Sequence, residues 1–176
     1  MAIEDNKQLV LSWFEALVTG DAEKAVSLLH DDFRYYYPGD MPCAGWTDKA
    51  GFLDSAKMFA GKLAGSIAFR IGEITAEGDR VWFEAESDAP LVDGNRYNNL
   101  YVMLVWVRDG RIATFKEFSD TLHTYRVIDG PETRGAPKAR ESHLERVTNS
   151  FGGASLGAAL DPSEPKKREP AYPGIP

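Results

Sequence analysis

The sequence predicts an α+β fold, in which three N-terminal helices pack on one face of a curved, mostly antiparallel sheet. Three observations carry this. Apolar residues recur at helical spacing as far as Ala64 and at period 2 from Ser66 onward. One short aromatic strand, Phe33 to Tyr37, interrupts the helical part. The longest β pattern, Asn95 to Asp120, folds back at Asp109-Gly110, a pair that favours a two-residue hairpin turn. Helices grouped ahead of an antiparallel meander cover one face of the sheet. The sheet then wraps them into a cone whose mouth admits a small apolar ligand.

The elements follow in order. Leu9, Trp13, Phe14 and Leu17 mark a first amphipathic helix, Glu4 to Thr19, ended by Gly20. Asp21 opens a second, which runs to Leu29 with Ala22, Ala25, Val26 and Leu29 as its buried stripe. His30-Asp31-Asp32 reads as a turn. In the strand that follows, Phe33, Tyr35 and Tyr37 share one face, and Pro38 to Pro42 stop it. Thr47 or Asp48 caps a third helix, Lys49 to Ala64. Ile67, Phe69, Ile71 and Ile74 give the next strand, and Glu77 to Arg80 a turn. From Val81 to Asp88 the alternation has two faces: Val81, Phe83, Ala85 and Ser87 against Trp82, Glu84, Glu86 and Asp88. After a turn at Ala89 to Gly94 comes the long hairpin, with Phe115, Glu117 and Ser119 on one face of its second strand.

Composition bounds the rest. The chain has 176 residues and 43% hydrophobic content, enough for one domain with a real core. Residues 1–128 form that domain. Residues 129–176 hold seven of the ten prolines and read as an extension, with one short helix at Lys138 to Ser150 and either a solvated end or a strap. Net charge is −7, and the extension is balanced, so the body carries all of it. An acidic body excludes nucleic acid and anionic membranes as partners. The lone Cys43 reads as a small loop residue; it leaves no intrachain disulfide and suits a reducing compartment. The polar start MAIEDNKQ lacks signal-peptide character, and no run of eighteen apolar residues exists, so a cytoplasmic protein is expected. Three scattered histidines give no metal-ligand spacing, and no glycine-rich phosphate loop follows a strand. No metal and no cofactor is expected.

Glu117 is the first residue to ask about, because a carboxylate beside Phe115 on a core-forming strand is costly unless paired or wet. Pairing with an arginine or capping of backbone amides would satisfy it structurally. If Glu84 and Glu86 share its pocket, like charges and desolvation raise the carboxyl pKa values and create an acid–base pair. The other arrangement stays open: Val81, Phe83 and Ala85 face the helices, and the acids face solvent.

With WFEALVTGDAEKAVSLLHDDFRYYYPG at the front and RYNNLYVMLVWVRDGRIATFKEFSDT at the back, the chain resembles the nuclear-transport-factor-2-like superfamily. More narrowly it resembles the SnoaL-like, polyketide-cyclase-like proteins, over Glu4 to Tyr125. Where ketosteroid isomerases place a tyrosine and two aspartates, this chain has Trp13, Tyr37 and Met103, so that machinery is not implied. Limonene-epoxide hydrolases align without a gap over Val81 to Asp120. That likeness implies acid positions at Glu86 and Glu117, with Glu84 in place of the arginine between them, Tyr35 at the water-holding tyrosine and Tyr37 at an asparagine. Polyketide cyclases use an inward acid, for which Glu117, Asp120 and His123 lie near the right end of the strand.

The expectation is therefore a cofactor-independent acid–base enzyme (lyase, isomerase, cyclase or hydrolase) acting on a small apolar oxygenated molecule. Glu117 is its base, Glu86 the partner, and Tyr35 and Tyr37 donors. Trp13, Phe59, Glu84, Asn99, Tyr101, Met103, Phe115, Ser119 and His123 are expected to touch the substrate. A non-catalytic ligand-binding or interaction module is the alternative. A homodimer through the outer face of the sheet is the expected assembly.

Overall fold

The computed structural model describes residues 2–41, 43–129, 144 and 146–151. Helix α1 spans Ile3–Thr19 and buries Val10, Trp13 and Phe14, one face of a 3.6-residue period. Gly20 ends it in the left-handed conformation (φ 82°). Helix α2, Ala22–Ser27, is shorter than expected and buries only Ala25; the Asp21 side chain caps it by accepting from Lys24 N.

Strand β1 runs Leu29–Tyr37, so the expected turn at His30 to Asp32 is strand instead. Leu29 is buried and pairs with Ile112, while Arg108 bonds His30 Nδ1 and Asp32 at 2.9 Å each. Arg108 thus holds the two ends of this polar triplet on the sheet, while Asp31 lies 3.7 Å from Arg111. A strand that sequence reading missed, β2 at Gly45–Asp48, pairs antiparallel with β1. Four residues ending in a helix cap carry too little pattern to announce it. Helix α3, Lys49–Ala60, follows with Asp48 accepting from Gly51 N at 3.0 Å, and stops at Gly61 rather than Ala64.

The remaining strands are β3 (Ala68–Glu77), β4 (Arg80–Pro90), β5 (Arg96–Tyr97), β6 (Leu100–Arg108) and β7 (Arg111–Ser119). Asp109 and Gly110 close the β6–β7 hairpin with φ of 51° and 72°, as its two-residue turn requires. Asp120 then caps the short helix α4, Thr121–Thr124, and a π-helical turn covers Tyr125–Asp129. The sheet order is β2-β1-β7-β6-β4-β3-β8, with β5 on β4; β1 and β7 are the parallel pair. A register shift between Ile71 and Ile74 marks a bulge in β3, a device that bends a strand.

The last strand of that order, β8, is Asn149–Phe151, antiparallel to β3. The helix expected at Lys138 to Ser150 is therefore absent over 146–151; its earlier part and the expected solvated end lie outside the described residues. The physical reason is the open edge of β3. Thr148 N donates to Ile71 O at 2.7 Å, and Phe151 sits 6.4 Å from Phe14. A helix with two apolar contacts cannot match a ladder plus a core contact. Gly72 permits the approach, since a Cβ there would stand 2.7 Å from Leu144 Cδ2.

The helices cover one face of the sheet, α1 over β3 and β4, α3 over β1 and β2. Trp13 meets Phe115 edge-on at 5.1 Å; Phe14 meets Phe69 at 5.0 Å and Phe83 at 5.3 Å. Val81, Phe83, Ala85 and Ser87 are the buried inner face of β4. Its other face points outward, with Trp82 exposed. There Glu86 pairs with Arg70, and Asp88 with Arg96. Among the described residues no helix is long and apolar enough to cross a membrane.

Trp13 is fully enclosed by Phe14, Phe52 and Phe115. Trp13→Ala is expected to cost about 3–5 kcal/mol of stability in urea denaturation, as for other large-to-small core changes. A loss under about 1 kcal/mol would show that the ring is not a core element.

Candidate active site

The cone encloses a cavity of about 320 Å³ between α1, α3 and the inner face of the sheet. Its walls are largely aromatic and aliphatic: Phe14 from α1, Phe52 and Phe59 from α3, and Phe69, Met103 and Phe115 from the sheet. Against this background stand few polar groups: Glu117, Tyr35, Tyr37, Tyr97, Tyr101 and Thr124, with Ser55, Cys43 and Lys62 also lining it. Glu117 is the one carboxylate among the described lining residues.

Strand β7 brings Glu117 inward, two residues beyond Phe115 and opposite Met103 of β6. Tyr35, on the parallel neighbour β1, donates its hydroxyl to Glu117 Oε2 at 3.1 Å. Burial disfavours the ionised carboxyl and pushes its pKa up to about 7; the Tyr35 hydrogen bond offsets part of that rise. Tyr35 itself is held well above the usual tyrosine range, first by burial and then by Glu117's charge, so it remains a donor.

A second polar cluster forms where β4, β5, β6 and α4 meet. Tyr37 lies 2.8 Å from Ser119 Oγ and 3.0 Å from Thr124 Oγ1. Tyr101 donates to the Tyr97 oxygen at 3.1 Å and lies 2.9 Å from Ser87 Oγ. Asn99, fully buried, organises this end. Its Oδ1 accepts from Leu100 N at 2.8 Å and Asp120 N at 3.2 Å. Its amide then donates to Tyr97 at 3.0 Å and Thr124 at 2.9 Å. Burial is the first cause holding Tyr37, Tyr97 and Tyr101 above the usual phenol range.

Of the residues singled out from sequence, Glu117, Tyr35, Tyr37, Phe59, Tyr101, Met103 and Phe115 line the cavity. Six do not. Glu84 and Glu86 lie on the outward face of β4, where Glu86 meets Arg70, so neither partners Glu117. The alternation admitted two orientations, and burying Val81, Phe83 and Ala85 decides it. Glu117's raised pKa accordingly comes from burial and not from neighbouring acids. Trp13 is core behind Phe115 and Phe52. Asn99 and Ser119 hold the tyrosines from behind. His123 is buried, stacks on Tyr97 with ring centres 5.7 Å apart, and accepts from Asn98 N at 3.3 Å. Asp120 caps α4 through His123 N at 2.9 Å.

Tyr97 and Thr124 were missed. Tyr97 belongs to the alternating set Tyr97-Asn99-Tyr101, but the two-residue strand β5 breaks before the long strand and hides that register. Thr124 reaches the cavity from a helical turn that sequence periodicity does not resolve. Phe69 was legible within the Ile67-Phe69-Ile71 run. Cys43, expected as a loop residue, is exposed at the cavity wall. Among the described residues no three His, Cys, Asp or Glu side chains converge as a metal-ligand set.

Comparison with known proteins places this geometry. The profile of the SnoaL-like domain matches residues 10–115, ending two residues before Glu117. A search of curated proteins found no match. Solved structures resemble the chain in fold. A nuclear-transport-factor-2-like protein of unknown function from Burkholderia pseudomallei is 21% identical, with a TM-score of 0.65, covering 74% of this chain and all (100%) of its own. TerC, co-crystallised with polyporic acid, is 21% identical at TM-score 0.62, covering 72% of this chain and 99% of its own. IdmH from Streptomyces antibioticus, a proposed polyketide cyclase, is 21% identical at TM-score 0.58, covering 67% and 94%. With the profile spanning more than half of its length, this chain belongs to the SnoaL-like domain family.

Proposed function

We propose that the protein is a cofactor-independent acid–base enzyme acting on a small, largely apolar molecule with an enolisable carbonyl, and that Glu117 is its base. One observation carries this: a single carboxyl in an apolar cavity, poised at about 7 by burial and aimed by one tyrosine. A base with a pKa near the working pH combines a useful ionised fraction with a useful driving force. The ionised carboxylate takes the proton from the carbon next to the carbonyl. The electron pair of that carbon–hydrogen bond moves to the carbonyl oxygen as an enolate. Return of the proton at another carbon gives isomerisation, and attack of the enolate carbon on a second carbonyl gives ring closure.

The cavity volume of about 320 Å³ lies at the small end of the range of about 300–1,000 Å³ for small-molecule sites. Two proteins of this fold point to the same ligand class, TerC with its bound polyporic acid and IdmH with its proposed cyclase role. Glu117, protonated below about pH 7, also suits plain ligand capture as a hydrogen-bond donor. Non-catalytic binding is therefore the second reading.

Deuterium exchange from D2O into a panel of aryl ketones and 1,3-diketones, followed by proton NMR, decides between them. The wild type is expected to accelerate exchange in at least one member, and Glu117→Gln to lose about 10²-fold or more. Tight binding with no exchange in any member would leave the binding reading standing and remove the enzyme.

The poise has a stability consequence. Folded Glu117 holds its proton up to about pH 7, whereas its ordinary value is 4.5. Its contribution is full below pH 4.5 and is lost as pH rises through 7. The loss is on the order of 3 kcal/mol. Denaturation curves of Glu117→Gln should lack this decline, and carbon-detected NMR should find one wild-type carboxyl titrating near 7. A wild-type stability profile parallel to that of Glu117→Gln across this window would count against a poised carboxyl.

For the assembly, the outer sheet face exposes Trp46, Trp82, Val102 and Phe118. A second copy of this chain covering them is the proposed partner. Sedimentation should give a dimer that Trp82→Glu with Phe118→Glu converts to monomer; a monomeric wild type at micromolar concentration would refute it.

A further inference from the structure

We infer that Tyr97 is the donor that holds the substrate's carbonyl oxygen, with Asn99 and Tyr101 as its positioning residues. The inference rests on the cavity being a carbonyl-binding site, and it names the group opposite the base.

Most hydroxyl groups in the cavity are tied to a partner in the protein. Tyr35's hydrogen goes to Glu117. Tyr101's goes to the Tyr97 oxygen. Thr124's goes back along its own helix, to Asp120 O at 3.3 Å. Tyr37 shares hydrogen bonds with Ser119 Oγ and Thr124 Oγ1 at 2.8 and 3.0 Å, in which either partner can donate. At Tyr97 the pattern differs. Its oxygen receives two hydrogen bonds, from Asn99 Nδ2 at 3.0 Å and from Tyr101 at 3.1 Å. Among the described residues its own hydrogen has only Thr124 Oγ1, at a long 3.5 Å, and that oxygen already accepts from Asn99.

The supply to Tyr97 runs one way. Asn99 N donates to Ser87 Oγ at 3.3 Å, Ser87 lies 2.9 Å from Tyr101, and Tyr101 donates to Tyr97. Asn99 cannot turn round, because its Oδ1 is held by Leu100 N and Asp120 N. An oxygen that accepts two hydrogen bonds makes its own O–H a stronger donor. The ring is fixed edge-on to Phe59 at 5.0 Å and stacked on His123. Tyr97 lines the same cavity as Glu117, and Glu117's charge, after burial, raises its pKa. A preset donor and a base therefore line one largely apolar cavity, the arrangement that stabilises a developing enolate oxygen.

The probe is 4-nitrophenol, an enolate-like phenol whose ionised form absorbs in visible light. It is titrated into Glu117→Gln, which removes the competing carboxylate. Bound probe is expected to ionise about one pH unit or more below free probe. Adding Tyr97→Phe should abolish that shift and weaken binding about tenfold. Adding Tyr101→Phe instead, which leaves Tyr97 in place but removes one of its two donors, should give an intermediate shift. A graded spectrum of this kind does not arise from a packing defect. An unchanged shift with Tyr97→Phe, or no bound phenolate in Glu117→Gln at millimolar probe, overturns the inference. Failure of Glu117 as base would show separately, as absent exchange in wild type with the phenolate shift intact.

Discussion

The structure depends on setting one carboxyl in an apolar cavity. Glu117 sits in a wall of aromatic rings, with the Tyr35 hydroxyl on one of its oxygens. Burying a charge without a partner costs several kcal/mol, and the group responds by keeping its proton to higher pH. That response requires a closed apolar surround. Phe115 on the same strand, Tyr35 on the parallel neighbour and Phe52 from α3 supply it, with ring centres 4.9 to 6.2 Å apart. The helices thus cover the sheet and also supply part of the apolar wall whose burial of the carboxyl raises its pKa.

The opposite end of the cavity obeys a different rule. Its polar groups are many, but each is tied to another. Asn99 is the hub, bonded to Tyr97 of β5, to Thr124 of α4 and to the backbone that starts α4. Satisfied buried networks are rigid, because rotation of one member leaves several groups unpaired. The cavity therefore presents a poised carboxyl and a fixed array of hydroxyls near enough to feel its charge, set among apolar walls. An apolar molecule with one oxygen can lodge in such a space in few orientations.

The sequence was most legible where periodicity and local chemistry agreed. The switch from helical to alternating spacing, the Asp109-Gly110 turn and the inward set Phe115-Glu117-Ser119 all appear in the structure. It was least legible where a choice depended on distant partners. Glu84 and Glu86 alternate with Val81, Phe83 and Ala85, so the strand could be written with either face inward. A gapless likeness to epoxide hydrolases favoured the acids, and the apolar face won because Arg70 and Arg96 receive Glu86 and Asp88 outside. Residues 149–151 pair with Phe69 to Ile71 across nearly half of the chain, and no local signal encodes that register. His30 to Asp32 looked like a turn because Arg108 and Arg111, which meet them on the sheet, lie far along the sequence.

The loss of the three-acid arrangement alters the chemistry in a specific way. Three neighbouring carboxyls would titrate as a coupled set, and their pKa values would depend on one another's charge. A lone carboxyl has its poise set by hydration. When an apolar ligand displaces cavity water, the medium around Glu117 becomes less polar and its conjugate acid is favoured further. The ionised form present at that moment is a stronger base than in the empty cavity. The walls that admit an apolar molecule and the base that would act on it are thus controlled by the same quantity, the water left in the cone. A wall substitution that lets water in must weaken both, even where it touches neither the ligand's oxygen nor the carboxyl.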